Sequence, residues 1–544
     1  MRRFHPNCVA ARALRLTRFE MVARWCVVWV VGCLWAGLAS ADETPRGLEI
    51  LANSCGGCHQ QSTPGHFARI SEIRKTPEGW LMTIFRMRHV HHVQIADSER
   101  DVLIRYLADT QGLAPSETTG ARYALERRPN VTDMTLPGDL QVMCARCHSA
   151  ARVALQRRDS TDWLKHVNWH LAQWPTLEYQ QNARDRLWWQ KATTEVPGEL
   201  GKLFPFSSAA WDQWRSTPHT DLSGTWLVHS HEPGQAEAWG TATVSRSGQD
   251  EYSVVYTLDT SAGQHLTGES KSIVYTGFEW RGTASLSGRD IREVYAVSED
   301  GNRMSGRWFE AEHAEIGADW VAVRATDSQV VAVFPAAARA GATTRVTVLG
   351  SALKGSVSFG PGTRNKVVSR GDHTLTVDLQ VEANAPPGYR ELSIGKLRQV
   401  DALAVYSRVD RVEVSPAFGI ARVGGGKIDS VAAQFEAVGF QDVPGASASG
   451  KSQAVRIGAL PVNWSVQPYN EDARQADDVK FAGRIDPSGR FLPAGAGPNP
   501  ARKFSANNAG NLAIVATLEE ERKPVSGKGH LIVTVQRWNT PPIY

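Results

Sequence analysis

Two short runs hold the residues best suited to chemistry: Cys55-Gly-Gly-Cys58-His59 and Cys144-Ala-Arg-Cys147-His148. Each is C-x-x-C-H, the spacing at which two thiols add across the vinyl groups of one haem while the adjacent imidazole lies beneath the iron. The pattern predicts two covalently bound haem c groups. Cys55 and Cys58 attach one, Cys144 and Cys147 the other, and His59 and His148 are the proximal ligands. A four-cysteine zinc site would have to bridge the 85 residues between the pairs and leave the histidine after each unexplained. Redox dithiols predict no histidine at that place.

The second axial ligands follow from an internal repeat. Downstream of the first motif the chain reads Trp80-Leu-Met-Thr-Ile-Phe-Arg-Met87, and downstream of the second Trp163-Leu-Lys-His-Val-Asn-Trp-His170. Trp-Leu opens both runs, Ile84 matches Val167, and the seventh residue after each Trp can bind iron. We therefore expect His59–Met87 ligation at haem 1 and His148–His170 at haem 2. His91 is the alternative at haem 1, four residues beyond Met87 on one helical face, within a run crowded by His89 and His92. His166 competes with His170. A thioether raises the iron potential relative to a second imidazole, so haem 1 is expected to be the higher-potential site. Basic pairs precede each Trp, Arg74-Lys75 and Arg157-Arg158, at positions suited to haem propionates.

These ligands need helices to hold them, and residues 42–216 read as helical. Asp97-Ser-Glu opens an acidic first turn, and Val102, Leu103, Tyr106 and Leu107 recur at helical spacing before Gly112. This segment resembles the C-terminal helix of a small cytochrome c. Seven tryptophans between Trp163 and Trp214 are expected to pack as core and to wall the second haem. Ahead of this domain, residues 1–41 carry six arginines against one acid, then an apolar run from Trp25 to Leu38 and Ala39-Ser-Ala41. That is the layout of a secretory signal cleaved before Asp42. The run is too short for a stable membrane anchor, and lipidation at Cys33 is a second alternative. Covalent haem attachment is made outside the cytoplasm, so the expected location is periplasmic.

Composition is ordinary for a soluble protein, with 42% hydrophobic and 21% charged residues in 544. The formal charge of +4 comes from the leader. Six of the 60 basic and one of the 56 acidic residues leave with it, so 54 face 55, and a nucleic-acid partner is excluded. Cys8, Cys26 and Cys33 leave too. No thiol then remains for a disulfide or a nucleophile.

Beyond about residue 217 the pattern changes to short β-branched and aromatic runs separated by Gly, Asn and Ser, the mark of antiparallel strands. The expected fold class is a multidomain α plus all-β chain: an N-terminal helical dihaem cytochrome c domain (42–216), an antiparallel β-barrel (217–327), an immunoglobulin-like domain (328–408) and a C-terminal immunoglobulin-like domain (409–544). The Gly/Pro/Asn-rich passage Pro493 to Asn511 is expected to be ordered only against a partner. Glu310, Glu312 and Glu315 around His313 read as a solvated turn rather than a metal cluster. The β portion contains no G-x-S-x-G, H-E-x-x-H, P-loop or dinucleotide fingerprint.

The chain as a whole resembles the α subunit of quinohemoprotein amine dehydrogenase. The likeness rests on the two haem motifs together with Arg74-Lys-Thr-Pro-Glu-Gly-Trp-Leu-Met-Thr-Ile, Tyr106-Leu-Ala-Asp-Thr-Gln-Gly-Leu-Ala-Pro-Ser-Glu, Ala151-Arg-Val-Ala-Leu-Gln-Arg-Arg, Gly495-Ala-Gly-Pro-Asn-Pro, Asn507-Asn-Ala-Gly-Asn-Leu and Thr534-Val-Gln-Arg-Trp-Asn. The resemblance implies an αβγ enzyme that oxidatively deaminates primary amines. The quinone, cysteine tryptophylquinone, would belong to a small γ subunit, and a β-propeller subunit would complete the assembly. This chain would pass electrons through its two haems to a soluble cupredoxin or cytochrome c, and would supply no catalytic residue of its own. Two other readings use the same motifs: a stand-alone exported dihaem carrier that docks through its β domains, and a dihaem peroxidase with a displaceable iron ligand.

Overall fold

The structure is a computed structural model. It describes residues 43–129, 131, 133, 135–173, 185–326, 328–425, 428–443, 453–520 and 523–536. The leader with its cleavage point, its three cysteines and Trp174 lie outside these residues.

The N-terminal part is helical. Helix α1 (Glu43–Cys55) ends on the first haem-motif cysteine, α2 (Pro77–Val90) carries Met87, and α3 (Asp97–Gln111) crosses α1. The crossing is close because Gly47 lacks a side chain: a Cβ there would sit 2.4 Å from the Cβ of Tyr106. Leu51, Phe67, Trp80, Leu103 and Leu107 fill the space between them. In the second half α4 (Gly138–Cys144) ends on the third haem-motif cysteine, and α5 (Ser160–Gln173) carries His170. Trp163, Trp188, Leu140 and Leu200 form its core.

The sequence repeat is also a repeat in space. A separation of 83 residues relates Trp80 to Trp163, and the same separation relates the caps of the helices that carry Met87 and His170. Thr76 Oγ1 accepts the Gly79 amide at 3.3 Å, and Asp159 Oδ1 accepts the Asp162 amide at 2.7 Å. Lys75 lies over the Trp80 ring at 5.4 Å and its counterpart Arg158 over Trp163 at 5.7 Å. The halves join through two short antiparallel strands, β1 (Arg74–Lys75) and β2 (Gln156–Arg157), in which Arg74 pairs with Arg157. Equivalent residues can pair in this way only about a local twofold axis.

Glu117 closes that seam. Its carboxylate takes two bonds from Arg74, at 2.8 and 2.9 Å, one from Arg157 Nε at 3.1 Å and one from Ser208 Oγ at 2.9 Å. Arg157 also donates to the Glu117 carbonyl at 2.9 Å. Burial alone would raise this carboxyl, but the bonds and charges of Arg74, the Ala114 amide and Arg157 pull it down to about 2.

Residues 224–324 form a closed barrel of eight antiparallel strands in chain order, β3 (Gly224–His231), β4 (Ala238–Gly248), β5 (Glu251–Thr260), β6 (His265–Tyr275), β7 (Glu279–Leu286), β8 (Arg289–Val297), β9 (Arg303–Glu310) and β10 (Gly317–Arg324). β10 pairs back onto β3, so the sheet has no free edge. Burial alternates without a break along β5. The interior is packed with aromatic rings, among them Trp226, Tyr252, Tyr256, Trp280, Tyr295 and Trp320. The β6–β7 turn, with positive φ at Thr276 and Gly277, reaches the helical domain: Asp109 Oδ1 accepts the Thr276 amide at 3.0 Å and Trp214 Nε1 donates to its carbonyl at 2.8 Å. Arg281 bonds Glu78 of α2 at 2.5 Å, and Arg307 donates to the carbonyls of Glu126 and Arg127.

Two sheets of four strands follow between Gln329 and Tyr406 around Val346, Leu375, Leu379 and Leu403. Between Arg411 and Thr534 lie one four-stranded and two three-stranded sheets around Phe435, Phe491, Leu512 and Leu531. The passage expected to need a partner is held by the chain's own bonds. Asn499 Nδ2 donates to Asn508 Oδ1 at 2.7 Å, Asn508 Nδ2 donates to the Gly495 carbonyl at 2.7 Å, and buried Arg502 donates to Asp478 at 2.6 Å. Asn side chains replace the ladder bonds that such a composition lacks. The His313 segment is a turn, with His313 beside Glu315 at 3.2 Å, and no cluster of three or more His, Cys, Asp or Glu able to hold a metal occurs among the described residues.

The barrel and the C-terminal part are clamped by His231, whose two ring nitrogens meet Glu237 at 2.8 Å and Glu436 at 2.9 Å. The bonds from Glu237 and Glu436 raise its pKa to about 10.

Two outcomes follow from these ion pairs. Glu117→Gln leaves Arg74 and Arg157 buried without their counter-charge and should cost about 3–5 kcal/mol in denaturant unfolding. Because the native Glu117 pKa is depressed from 4.5 to about 2, its contribution is present above 4.5 and fades as pH falls through that window, so the variant should be flatter with pH there. His231 has the opposite sign: its contribution is full below 6.5 and is lost as pH rises towards about 10. Thermal melts of His231→Asn from pH 6 to 10 should lose that slope.

Candidate haem sites

Each haem motif folds as a tight turn at a helix end. Cys58 and His59 both return their amides to the Cys55 carbonyl, at 3.2 and 2.9 Å. His59 Nδ1 is bonded to the Ala68 carbonyl at 2.9 Å, which fixes the donor on that nitrogen and leaves Nε2 to bind a metal. In the second motif His148 Nδ1 lies 3.0 Å from the Ser149 carbonyl, with the same consequence. Asp133 braces this turn by accepting Ser149 Oγ at 2.7 Å and the Ala150 amide at 2.5 Å.

The Cys55 and Cys144 thiols are not those of a redox or nucleophilic centre. Burial, then the neighbouring Cys58, pushes Cys55 up to about 11; burial, then Glu199, does the same to Cys144. A reactive thiol is shifted the other way. Cys55 packs in the apolar cluster of Trp80, Leu81 and Ile84, and Cys144 in that of Trp163, Val167 and Trp188. Each motif thus faces the helix carrying its expected sixth ligand.

On α5, His170 Nδ1 lies 2.8 Å from the His166 carbonyl, again leaving Nε2 free. Burial lowers the pKa of His148, and the charges of Arg152 and then His170 add to it, so the His148 and His170 rings lie within electrostatic reach. His166 is stacked flat on Trp169, 5.3 Å between centroids, and turns an edge to Trp163. At the first site Met87 is half-buried near the end of α2, and the Val93 amide returns to its carbonyl at 3.0 Å. His89 lies against Phe85 at 4.0 Å, and His89, His91 and His92 are all exposed.

Arg74 and Arg157 do not take the role that the sequence suggested for them. Their donors are committed to Glu117 and to backbone carbonyls in the seam between the halves. The next residues, Lys75 and Arg158, point instead into a buried region shared with Arg86 and Arg152. Sequence reasoning missed Arg86 and Arg152; the repeat separation leads from Arg86 to Trp169, a pair with no similarity to notice. Arg86 Nε is buried with no acceptor among the described residues, as are the indole nitrogens of Trp163 and Trp188. Free Nε2 atoms, thiols in apolar surroundings and unbalanced buried cations together fit an iron porphyrin with carboxylate tails.

Family models match nearly the whole chain: the quinohemoprotein amine dehydrogenase alpha subunit haem-binding domain over 45–211, and its domains II, III and IV over 219–325, 327–407 and 412–543. The chain belongs to this family. It is therefore a haem-binding alpha subunit of a multi-subunit amine dehydrogenase, an oxidoreductase, with the helical domain followed by three β domains. No curated protein matches it. Among solved structures, a redesigned beta barrel, mFAP1, bound to DFHBI aligns with 19% of this chain and 91% of its own, at 14% identity and a TM-score of 0.17. Protocadherin gamma B2 extracellular cadherin domains 1–5 align with 59% of this chain and 73% of theirs, at 13% identity and a TM-score of 0.16. Such scores carry nothing about this alpha subunit. No helix among its described residues is long and apolar enough to cross a membrane.

Single substitutions separate the rival ligands. His170→Ala should leave one haem high-spin in visible and EPR spectra, whereas His166→Ala should not. Met87→Ala should lower the potential of the other haem and remove its low-spin signature, and His91→Ala should change neither.

Proposed function

We propose that this alpha subunit is a dihaem electron-transfer subunit of a periplasmic amine dehydrogenase. It works between a cysteine tryptophylquinone in a small γ subunit and a soluble cupredoxin or cytochrome c, with a β-propeller subunit completing the assembly. Cys55 and Cys58, and Cys144 and Cys147, hold two covalently attached haem c groups. His59 with Met87 and His148 with His170 are the axial ligands. The domain limits that go with this reading are 42–216, 217–327, 328–408 and 409–544, behind a leader cleaved near Ala41.

One observation carries the reading: two C-x-x-C-H turns, each with its histidine held through Nδ1 by a backbone carbonyl, face two repeat-related helices with Met87 and His170 at equivalent positions. Bound haem supplies one-electron redox capacity, and two such groups match a two-electron amine oxidation to a one-electron acceptor. The residues of this chain orient and wall that pair. None is assigned to proton abstraction from the amine, because the quinone would lie in another subunit.

The test is purification from the native host. A small quinone-bearing subunit should copurify, and addition of a primary amine should reduce the haem bands. A chain that comes out alone, with no amine-dependent reduction, overturns the reading in favour of a carrier; peroxide turnover would point to a peroxidase.

A further inference from the structure

We propose that Lys75, Arg86, Arg152 and Arg158 form a single anion-binding bay that takes propionate carboxylates from both haems, so that one shared charge sets both iron potentials. This rests on the two-haem reading above.

The bay is assembled across the seam. Lys75 and Arg86 come from the first half, Arg152 and Arg158 from the second, and each half reaches into the other. The Arg86 guanidinium lies 4.6 Å over the ring of Trp169, which is its repeat counterpart, as residues beside a local twofold must. Arg152 Nη2 approaches Met82 Sδ of α2 at 3.9 Å. Lys75 and Arg158 occupy equivalent repeat positions, Lys75 at the end of β1 and Arg158 just after β2.

The cluster is short of negative charge. Of the groups that weigh most on Lys75, Arg158, Arg86 and Arg152 are cations and Asp162 is the one acid. Asp162 is already bonded to Arg158. Lys75, 6% exposed, has Thr83 Oγ1 at 2.8 Å as its side-chain acceptor, and Arg86 Nε has none among the described residues. Buried cations persist only with a counter-charge. Guanidinium forks beside an ammonium select planar carboxylates. The bay also borders both ligand sets: Arg86 precedes Met87, while Arg152, Arg158 and Arg86 all act on His170. A private site would draw its cations from one half; this one draws two from each.

The assembled dehydrogenase carrying Lys75→Met or Arg152→Gln, one change in each half, tests this by equilibrium redox titration followed in the visible spectrum. Both midpoint potentials should shift negative together in either variant, since each change leaves a propionate charge uncompensated and favours ferric iron. Lys75→Arg should restore both. If each substitution moves only the haem of its own half, or moves neither, the shared bay is wrong while the two-haem reading stands. A pyridine haemochrome count other than two per wild-type chain overturns that reading, and the bay with it.

Discussion

Glu117 is the constraint on which the helical domain depends. The helical domain has two halves, each with its own apolar core, and nothing in those cores tells one half how to meet the other. Apolar faces slide; a carboxylate between two guanidinium groups does not, because its bonds have fixed directions. Arg74 and Arg157 occupy the same repeat position, so a single acid at the axis satisfies both and sets the orientation of β1 against β2. Ser208 donates to the same carboxylate and the carbonyls of Gly112 and Phe206 accept from Arg74, tying the end of α3 and the chain around 206–208 to the same seam. This contact fixes the directions in which the two histidine turns, and the helices carrying Met87 and His170, meet across the seam.

Much of the site was legible because its signals are local. C-x-x-C-H is contiguous, and the strands of the barrel advertise themselves by alternation, as in Glu251–Thr260. The Trp80 and Trp163 repeat places Met87 and His170 at matching positions. Other features were not legible, and the reasons are physical. Glu117 sits in Pro-Ser-Glu-Thr, a run that reads as an ordinary helix start, and only the fold shows that two distant arginines converge on it. Arg86 and Arg152 matter through their neighbours across the seam, and a linear sequence carries no trace of that geometry. The Pro493–Asn511 passage shows a different limit: composition identified a loop but could not count the bonds its asparagines would make to one another.

The β domains bear on the site through rigidity rather than chemistry. The barrel interior is filled, and its buried Glu293 is held by Tyr256, Trp280, Ser270 and Ser272, so it offers no room for a ligand. Its contribution is made at the edge, where the Thr276 turn and Arg281 fasten α3 and α2. Arg281 grips Glu78 in the first turn of α2, the helix that carries Arg86 and Met87. A shift of the barrel would therefore move both an expected iron ligand and a cation of the bay.

Duplication explains why such a bay can exist at all. In a single small cytochrome the carboxylate tails of the haem can end at the surface, where water screens their charge. Joining two copies about a twofold axis buries the equivalent edges of both against each other, and whatever charge lies there is no longer screened. The chain meets that burial with cations from both sides, leaving Arg74 and Arg157 for the structural carboxylate and turning Lys75 and Arg158 inward. Adjacent residues of the chain thus divide two tasks that a single copy would not separate. The first member of each pair holds the halves together, and the second faces the place where the redox groups would meet.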